Sequence, residues 1–237
     1  MQKGKWFDNF IFLVLENQGW SQVQNCQFIK YLNENGAVFT KWHRATHPSG
    51  PNYRVMLSGQ SWSNNEFDGV ERENISKHID YVVSNYRGIP AERHNPFKDM
   101  NPKTYQTNKE VSGLIGPCAS LVYLGMDDEN DAHSGSLDIA DKNIMDAINF
   151  FTKQVSVVSP RTLFMVTTDE GFGLDYIFNH VFTGFLGVGI KAGQKINSSL
   201  SHYNLARFLA DNWEVELPPE SDPQCQTYAG RSLLELE

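Results

Sequence analysis

The sequence predicts an α/β fold in which a doubly wound, mostly parallel sheet carries helices on both faces. Strand-like apolar runs alternate with amphipathic, helix-like runs along the chain. The strand-like runs are continuously apolar, which is typical of strands that are buried on both faces. A length of 237 residues suits one domain with a sizeable core. We therefore treat residues 1–237 as a single domain, with a C-terminal tail from about residue 218 where the periodic pattern ends.

Five segments are predicted to be strands because they are short, apolar and rich in Val, Ile, Leu and Phe. In chain order they are residues 10–15, 37–42, 119–124, 162–168 and 182–188.

Five segments are predicted to be helices from the spacing of their apolar residues, namely residues 21–35, 53–57, 75–84, 137–155 and 202–212. The fourth has the clearest pattern, a single apolar stripe made of Leu137, Ala140, Ile144, Ala147, Ile148 and Phe151. Residues 86–117 have little periodicity and are predicted to form a long loop.

The motif HPSGPNY at residues 47–53 lies between a predicted strand and a predicted helix. It places Ser49 on a strand-to-helix turn, where backbone N–H groups and the helix dipole favour a bound anion. Pro51 fits the first turn of the helix, where its missing N–H costs no hydrogen bond. Ser49 is therefore a candidate nucleophile. The alternative is a serine that only caps the helix.

Composition excludes several classes of protein. The formal net charge is −8 and Lys and Arg form no run, so we expect no nucleic-acid partner. No apolar segment approaches the ~20 residues that span a bilayer, so no membrane span is expected. The N-terminal residues lack the features of a secretory signal. The default compartment is then cytoplasmic, or secreted or periplasmic if a signal was removed. Formation of a homo-oligomer stays open.

Acidic and amide side chains follow three of the predicted strands. Glu16 and Asn17 end the first, an acidic cluster at residues 127–133 follows the third, and Asp169 and Glu170 end the fourth. In an open α/β sheet, ligands bind beyond the carboxyl ends of the strands, so these groups and Ser49 are expected to converge on one crevice.

Converging carboxylates repel one another unless a cation lies between them, so the sequence predicts a metal site. The expected ligands all offer oxygen, which favours Mg²⁺, Mn²⁺ or Ca²⁺, with Zn²⁺ as the alternative if His180 joins. The expected metal ligands are Glu16, Asn17, Ser49, Asp169 and Glu170. Taken singly, Glu170 has the alternative interpretation of a solvated loop charge, and Asn17 that of a turn or cap residue.

Seven motifs lie one after another along nearly the whole chain. They are LEN at residues 15–17, HPSGPNYRVMLSG at 47–59, RHNPF at 93–97, NDAHSGS at 130–136, TTDEGFG at 167–173, NHV at 179–181 and SHYNLARFLAD at 201–211. In these motifs the sequence resembles the phosphoesterase family of bacterial phospholipase C and acid phosphatase type, within the alkaline phosphatase superfamily. The resemblance implies an alkaline phosphatase-like core.

The resemblance also implies roles for individual residues. Ser49 matches the nucleophile that also touches the metal, and the other four predicted ligands match the family's metal ligands. His94, His133 and His180 match its active-site histidines, and His94, His133 and Asn52 are the implied substrate-binding residues. His94 has the alternative role of bracing its loop, and His202 is interpreted as a structural residue at a helix start.

These roles imply a metal-dependent phosphoesterase that hydrolyses a small-molecule phosphate ester through a phosphoserine intermediate. A monoesterase is the leading hypothesis, and a phospholipase C or another phosphodiesterase is the enzymatic alternative. A catalytically silent module that binds metal or phosphate is the alternative from another class.

Two departures from the family pattern narrow these expectations. Two-zinc members carry an Asp-His pair where this chain has Asp169 and Glu170, so one metal ion is expected. An acid follows the histidine of the related NDxHD pattern, whereas Ser134 follows His133 here. The partner that orients His133 is therefore left open.

Overall fold

Nine strands form one sheet in the part of the chain that the computed structural model describes, which is residues 3–60, 75–97, 103–105, 120–171, 173–219 and 221–236. The strands are β1 (Asn9–Leu15), β2 (Ala37–His43), β3 (Tyr81–Arg87), β4 (Lys103–Tyr105), β5 (Leu121–Met126), β6 (Thr162–Thr168), β7 (His180–Gly187), β8 (Gln194–Ile196) and β9 (Leu200–Ser201).

The sheet is mostly parallel, as predicted. Its strand order is β4-β3-β5-β1-β6-β7-β2-β8, and β9 extends the sheet by pairing with β2. β7 runs antiparallel to both of its neighbours, β6 and β2. The pairs β3–β4, β3–β5, β1–β5, β1–β6, β2–β8 and β2–β9 are parallel. The carboxyl ends of β1, β5 and β6 therefore lie along one edge, where a ligand site is expected.

The helices are α1 (Trp20–Val23), α2 (Gln27–Asn35), α3 (Ser49–Ser58), α4 (Leu137–Phe150), α5 (Ser156–Val158), α6 (Leu174–Phe178) and α7 (His202–Trp213). A π-helical segment, Phe151–Val155, joins α4 to α5. Four short 3₁₀ segments are Ile75–Lys77, Glu92–His94, Pro223–Gln226 and Leu233–Glu235. Within the described ranges, no helix is long and apolar enough to cross a membrane.

Side chains of β1 alternate between two hydrophobic cores, because successive residues of a strand point to opposite faces. Phe10, Phe12 and Val14 pack into the core that includes side chains of α3 and α7. Ile11, Leu13 and Leu15 pack into the core that includes side chains of α2 and α4. Helices thus cover both faces of the sheet, which confirms the predicted fold class.

All five predicted strands are present, with ends that differ by at most two residues from the prediction. The predicted helix at 75–84 is wrong. Ile75, Ile79 and Val82 have helical spacing, but only Ile75–Lys77 forms a 3₁₀ turn, and Tyr81–Arg87 is the strand β3. In this strand Val82 and Val83 pack into different cores. A strand that is apolar on both faces imitates the helical pattern at this length.

Other predicted helices differ in extent. The predicted helix 21–35 is divided into α1 and α2, and the predicted helix 137–155 ends as α4 at Phe150 before the π-helical segment. α3 begins four residues earlier than predicted, at Ser49. Most of the predicted loop at 86–117 lies outside the described residues, although β4 is a strand within it.

The predicted C-terminal tail contributes to the core, because Leu233 and Leu234 are buried against the α3 and α7 side of the sheet. Cys225 is buried in a smaller cluster with Val55 and Tyr203.

A substitution at Gly187, at the end of β7, tests the packing of the sheet. Its φ is +110°, and a Cβ there would lie 2.3 Å from the carbonyl oxygen of Thr162 on β6. Gly187→Ala should therefore lower the free energy of unfolding by about 3 kcal/mol or more, from backbone strain and a backbone clash together. Gly230→Ala is the control, because its φ is +74° and no atom lies within 4 Å of the added Cβ. It should cost only about 1 kcal/mol. Equal losses in urea unfolding would contradict the described packing of β7 on β6.

Candidate active site

Ser49 is the first residue of α3 and is 5% exposed. The loop before it is held by the buried side chain of Asn52. Its Oδ1 accepts hydrogen bonds from the N–H groups of Ala45 and Thr46, at 3.1 and 2.9 Å, and its Nδ2 donates to the Thr46 carbonyl at 2.8 Å. Asn52 therefore positions the loop that leads to Ser49, and its contact with substrate stays a prediction.

The Ser49 hydroxyl lies between two buried carboxylates. Its Oγ is in hydrogen-bond contact with Oε1 of Glu16, which follows β1, and lies 2.9 Å from Oε1 of Glu170, which follows β6. Glu16 and Glu170 are 0% and 2% exposed. The interpretation of Glu170 as a solvated loop charge is therefore wrong.

Asp169 completes a group of three carboxylates. One oxygen each from Glu16, Asp169 and Glu170 lies within 4.8 Å of the others. Oδ1 of Asp169 accepts a hydrogen bond from the N–H of Asn17 at 2.9 Å, whereas its buried Oδ2 has no hydrogen-bond partner in the described part of the chain. A buried oxygen without a donor, beside two further carboxylates, fits the predicted cation site.

The pKa values of these acids are displaced in opposite directions. Burial alone would raise the pKa of Glu16, but hydrogen bonds from His133 and His94 outweigh it and hold the pKa well below its usual value. Burial raises the pKa of Asp169 well above its usual value, and the charges of Glu16 and Glu170 raise it further. Asp169 is thus the carboxyl group that would gain most from a neighbouring cation.

Two of the three predicted histidines adjoin this group. Nε2 of His94 lies 3.1 Å from Oε1 of Glu16, and Nδ1 of His133 lies 3.3 Å from the same oxygen. Burial favours neutral His94, yet contacts with Asp131 and Glu16 raise its pKa to about 9. The hydrogen bond to Glu16 also raises the pKa of His133. Both rings therefore favour the cationic form beside Glu16.

Asn17 lies beside His133. Its φ is +56°, a conformation that Asn tolerates better than most residues. Its Nδ2 lies 3.1 Å from Nδ1 of His133. On the other edge of the ring, Nη2 of Arg93 lies 3.3 Å from Nε2 of His133. Amide and guanidinium nitrogens only donate, so the neighbour that accepts from the His133 ring is the Glu16 carboxylate, 3.3 Å from Nδ1.

His180 contacts different residues from His94 and His133. It begins β7, its Nε2 lies 3.0 Å from the Thr40 carbonyl oxygen, and its ring stacks on Trp20 with centroids 4.8 Å apart. Burial lowers its pKa. These contacts give His180 a packing role, and its catalytic role stays a prediction.

His202 is fully buried at the start of α7. Trp42 Nε1 donates to its Nδ1 at 3.2 Å, and its Nε2 lies 3.0 Å from the Asp169 carbonyl oxygen. It therefore supports the backbone of Asp169, in agreement with the structural role expected for it.

Three further groups at the site were not among the predicted site residues. The Tyr53 hydroxyl donates to Oε2 of Glu16 at 3.1 Å. Nη1 of Arg44 lies 3.2 Å from Oε2 of Glu170, and His47 Nδ1 contacts the same oxygen. Only the position of Tyr53, one helical turn after Ser49, hints at its place in the site.

The fold is similar to that of solved alkaline phosphatase superfamily proteins, in agreement with the alkaline phosphatase-like core that the motifs imply. No protein-family model matches the chain. A structure of an alkaline phosphatase superfamily protein from Vibrio parahaemolyticus superposes with a TM-score of 0.69 at 12% identity, over 95% of this chain and 71% of that one.

Two curated proteins are similar in sequence. A phosphatidylinositol-3-phosphatase of Mycobacterium tuberculosis is 24% identical over 86% of this chain and 76% of its own length. A phosphate-repressible acid phosphatase of Penicillium chrysogenum is 24% identical over 89% of this chain, which spans 60% of that protein. Both names are those of phosphatases, the enzyme class predicted from the sequence.

A substitution at Asp169 tests the repulsion among the three carboxylates. In chelator-treated protein at pH 7, Asp169→Asn should raise the free energy of unfolding by about 1–3 kcal/mol, because it removes an acid whose ionisation is disfavoured and keeps an acceptor for the Asn17 N–H. The control is Asp141→Asn. Both Asp141 oxygens accept backbone hydrogen bonds, from Gln27 and Phe28 at 2.8 and 3.0 Å. This variant should be destabilised, and a loss of stability in both variants would contradict the repulsion.

Proposed function

We propose that this protein hydrolyses phosphate monoesters with the help of a divalent cation, through a phosphoserine intermediate on Ser49. The observation that carries the proposal is the Ser49 hydroxyl at a helix start, in contact with carboxylates from the ends of two different strands. The names of the curated relatives support the substrate class.

Ser49 is placed to attack phosphorus. Carboxylates of Glu16 and Glu170 lie within hydrogen-bond distance of Oγ, so either can accept the hydroxyl proton as the Oγ–P bond forms. The helix start at Ser49 directs backbone N–H groups towards a bound phosphoryl group. Asn52 keeps the preceding loop, and hence Oγ, in this position.

Glu16, Asp169 and Glu170, with the Ser49 hydroxyl, are the residues that would hold a cation. Asn17 directs its N–H to Asp169 and its amide to His133, so it is proposed as a ligand only through its side-chain oxygen. A bound Mg²⁺, Mn²⁺ or Ca²⁺ would neutralise phosphoryl oxygen charge and lower the pKa of the serine hydroxyl. Zn²⁺ is less favoured here, because the contacts of His180 are with Trp20 and Thr40.

His133 is placed to protonate the leaving alcohol. Its side chain is 31% exposed, whereas Glu16 beside it is fully buried, so the ring lies at the open side of the group. The hydrogen bond to Glu16 raises the pKa of His133, which favours the protonated ring. As the P–O bond to the alcohol breaks, this proton can pass to the departing oxygen. In the second step, the neutral ring can take a proton from the water that attacks phosphoserine.

Arg93 and His133 at the open side of the site are proposed to favour monoesters over diesters, although Arg93 is also paired with Asp128 at 3.0 Å. Arg93, whose side chain is 33% exposed, lies beside His133. A monoester carries a second negative charge that a diester lacks, so the guanidinium and the imidazolium stabilise the monoester more. Phosphodiester hydrolysis, as in a phospholipase C, is the enzymatic alternative.

Replacement of the proposed nucleophile gives the direct test of activity. Ser49→Ala should lower kcat on p-nitrophenyl phosphate by about 10³-fold or more, because no residue replaces the attacking oxygen. Ser58→Ala is the matched control. Ser58 ends the same helix, is buried, donates to the carbonyl of Arg54 at 3.0 Å and accepts from the N–H of Gln60 at 3.0 Å. This variant should retain activity within a few-fold.

The same assay with bis-p-nitrophenyl phosphate separates the alternatives. We expect a higher kcat/KM for the monoester, and a higher value for the diester would favour the diesterase. If the metal-loaded protein turns over neither ester, and Ser49→Ala behaves as wild type, the chain is a silent binding module and the proposal is wrong.

A further inference from the structure

A cavity of about 270 Å³ lies at the same edge of the sheet as the group of acids. Its walls are formed by the end of β2, the residue before β7, the start of α7 and the C-terminal tail. β2 and β6 both run antiparallel to β7, so the end of β2 lies at the edge where Asp169 and Glu170 follow β6. Ligands of open α/β sheets bind beyond this edge, so the cavity has the position of a ligand site.

Arg44 connects the cavity to the proposed nucleophile. Its side chain lines the cavity, and its Nη1 lies 3.2 Å from Oε2 of Glu170. The other oxygen of Glu170 lies 2.9 Å from the Ser49 hydroxyl. One carboxylate therefore separates Ser49 from a side chain of the cavity wall, so the cavity adjoins the place where a phosphoryl group would be attacked.

The lining of the cavity is close to electrically neutral. Among the described residues, Arg44 is the one Lys or Arg that lines it, and no Asp or Glu does so. The charge of Arg44 is paired with that of Glu170. A charge without a partner is costly in a partly enclosed site, so this lining favours a neutral group over a second phosphate or a cation.

Side chains with hydroxyl and amide groups surround the cavity. Those of Ser199, Gln224 and Thr227 line it and make no hydrogen bond to other described residues. Oδ1 of Asn179 accepts from Nε of Arg44 at 2.9 Å, which leaves the Asn179 amide group as a donor. Hydroxyl and amide side chains both donate and accept, as the hydroxyl groups of a ligand do.

Apolar groups complete the wall, because Leu200 and Tyr203 also line the cavity. A sugar or polyol presents C–H groups between its hydroxyl groups, and such a ligand needs apolar as well as polar contacts. The volume lies just under the range of about 300–1,000 Å³ that is usual for pockets that enclose a whole small molecule. The cavity therefore suits one sugar-sized group.

We infer that this cavity binds the hydroxyl-rich alcohol of the substrate, so that the phosphate ester is that of a sugar or polyol. The inference rests on the proposed function, since the phosphoryl group would remain beside Ser49 while the alcohol extends past Arg44. Residues of the C-terminal tail, Gln224 and Thr227, then take part in the choice of substrate.

Water is the competing occupant of the cavity, because Ser199, Gln224 and Thr227 are exposed. A hydroxyl-rich group can replace the hydrogen bonds of the water that it displaces, whereas an apolar ring of the same size cannot. A preference for hydroxyl groups therefore distinguishes a built site from a water-filled cleft.

The test measures binding to the Ser49→Ala protein loaded with Mn²⁺, by titration calorimetry, so that the esters are not consumed. Glucose 6-phosphate and sorbitol 6-phosphate are compared with cyclohexylmethyl phosphate, a monoester with a ring but no hydroxyl group. At least one of the hydroxyl-rich esters should bind about 10-fold or more tightly than the cyclohexylmethyl ester, as two or three additional hydrogen bonds would give.

Two neighbouring substitutions locate this preference. Gln224 and Gln226 belong to the same 3₁₀ segment and are both exposed, but of the two only Gln224 lines the cavity. In the Ser49→Ala protein, Gln224→Trp should abolish the preference by filling the cavity, whereas Gln226→Trp should retain it. Ser199→Trp fills the cavity from another segment and replaces Gln224→Trp if circular dichroism shows that this variant does not fold.

Equal affinity for all three esters would overturn the inference and assign the cavity to water. A preference that survives in both folded cavity-filling variants would also overturn it, because the hydroxyl groups would then bind elsewhere. If none of the three esters binds, the proposed function itself is contradicted, and the inference that rests on it is withdrawn.

Discussion

The alignment of β1 with β6 is the constraint on which the site depends. These strands are parallel and in register from Asn9 with Thr162 to Leu15 with Thr168. The backbone N–H of Asp169 donates to the Leu15 carbonyl at 3.0 Å, which continues the pairing past the strand ends. Glu16 and Asp169 are therefore brought side by side by backbone hydrogen bonds. Without this pairing the two carboxylates would move apart, because their negative charges repel.

The groups around the acids offset part of this repulsion. Tyr53, Ser49 and two histidines contact Glu16, and Arg44 contacts Glu170. Asp169 has only the Asn17 N–H on one oxygen, and its other oxygen is unpaired among the described residues. This uneven distribution of donors would direct a bound cation to the side of Asp169. The same uneven distribution leaves the Ser49 hydroxyl close to carboxylates that can accept its proton.

The sequence predicted the sheet and the acids at its edge because buried parallel strands are apolar along their whole length and end at polar residues. Glu16 and Asp169 are both found in this way. β3 was predicted as a helix because local spacing cannot distinguish a short helix from a strand that is apolar on both faces. Asp128 and Asp131 were visible only as part of an acidic run, since their convergence on His94 depends on how the loop after β5 folds.

The central claim is that a cation held by oxygen atoms at this edge activates Ser49. The most direct measurement is rapid quenching of the metal-loaded protein with a phosphate monoester, followed by peptide mass spectrometry. The account predicts a phosphoryl group on Ser49 that is lost when the metal is removed by a chelator. A phosphoryl group on another residue, or one on Ser49 that persists in chelator, would contradict it.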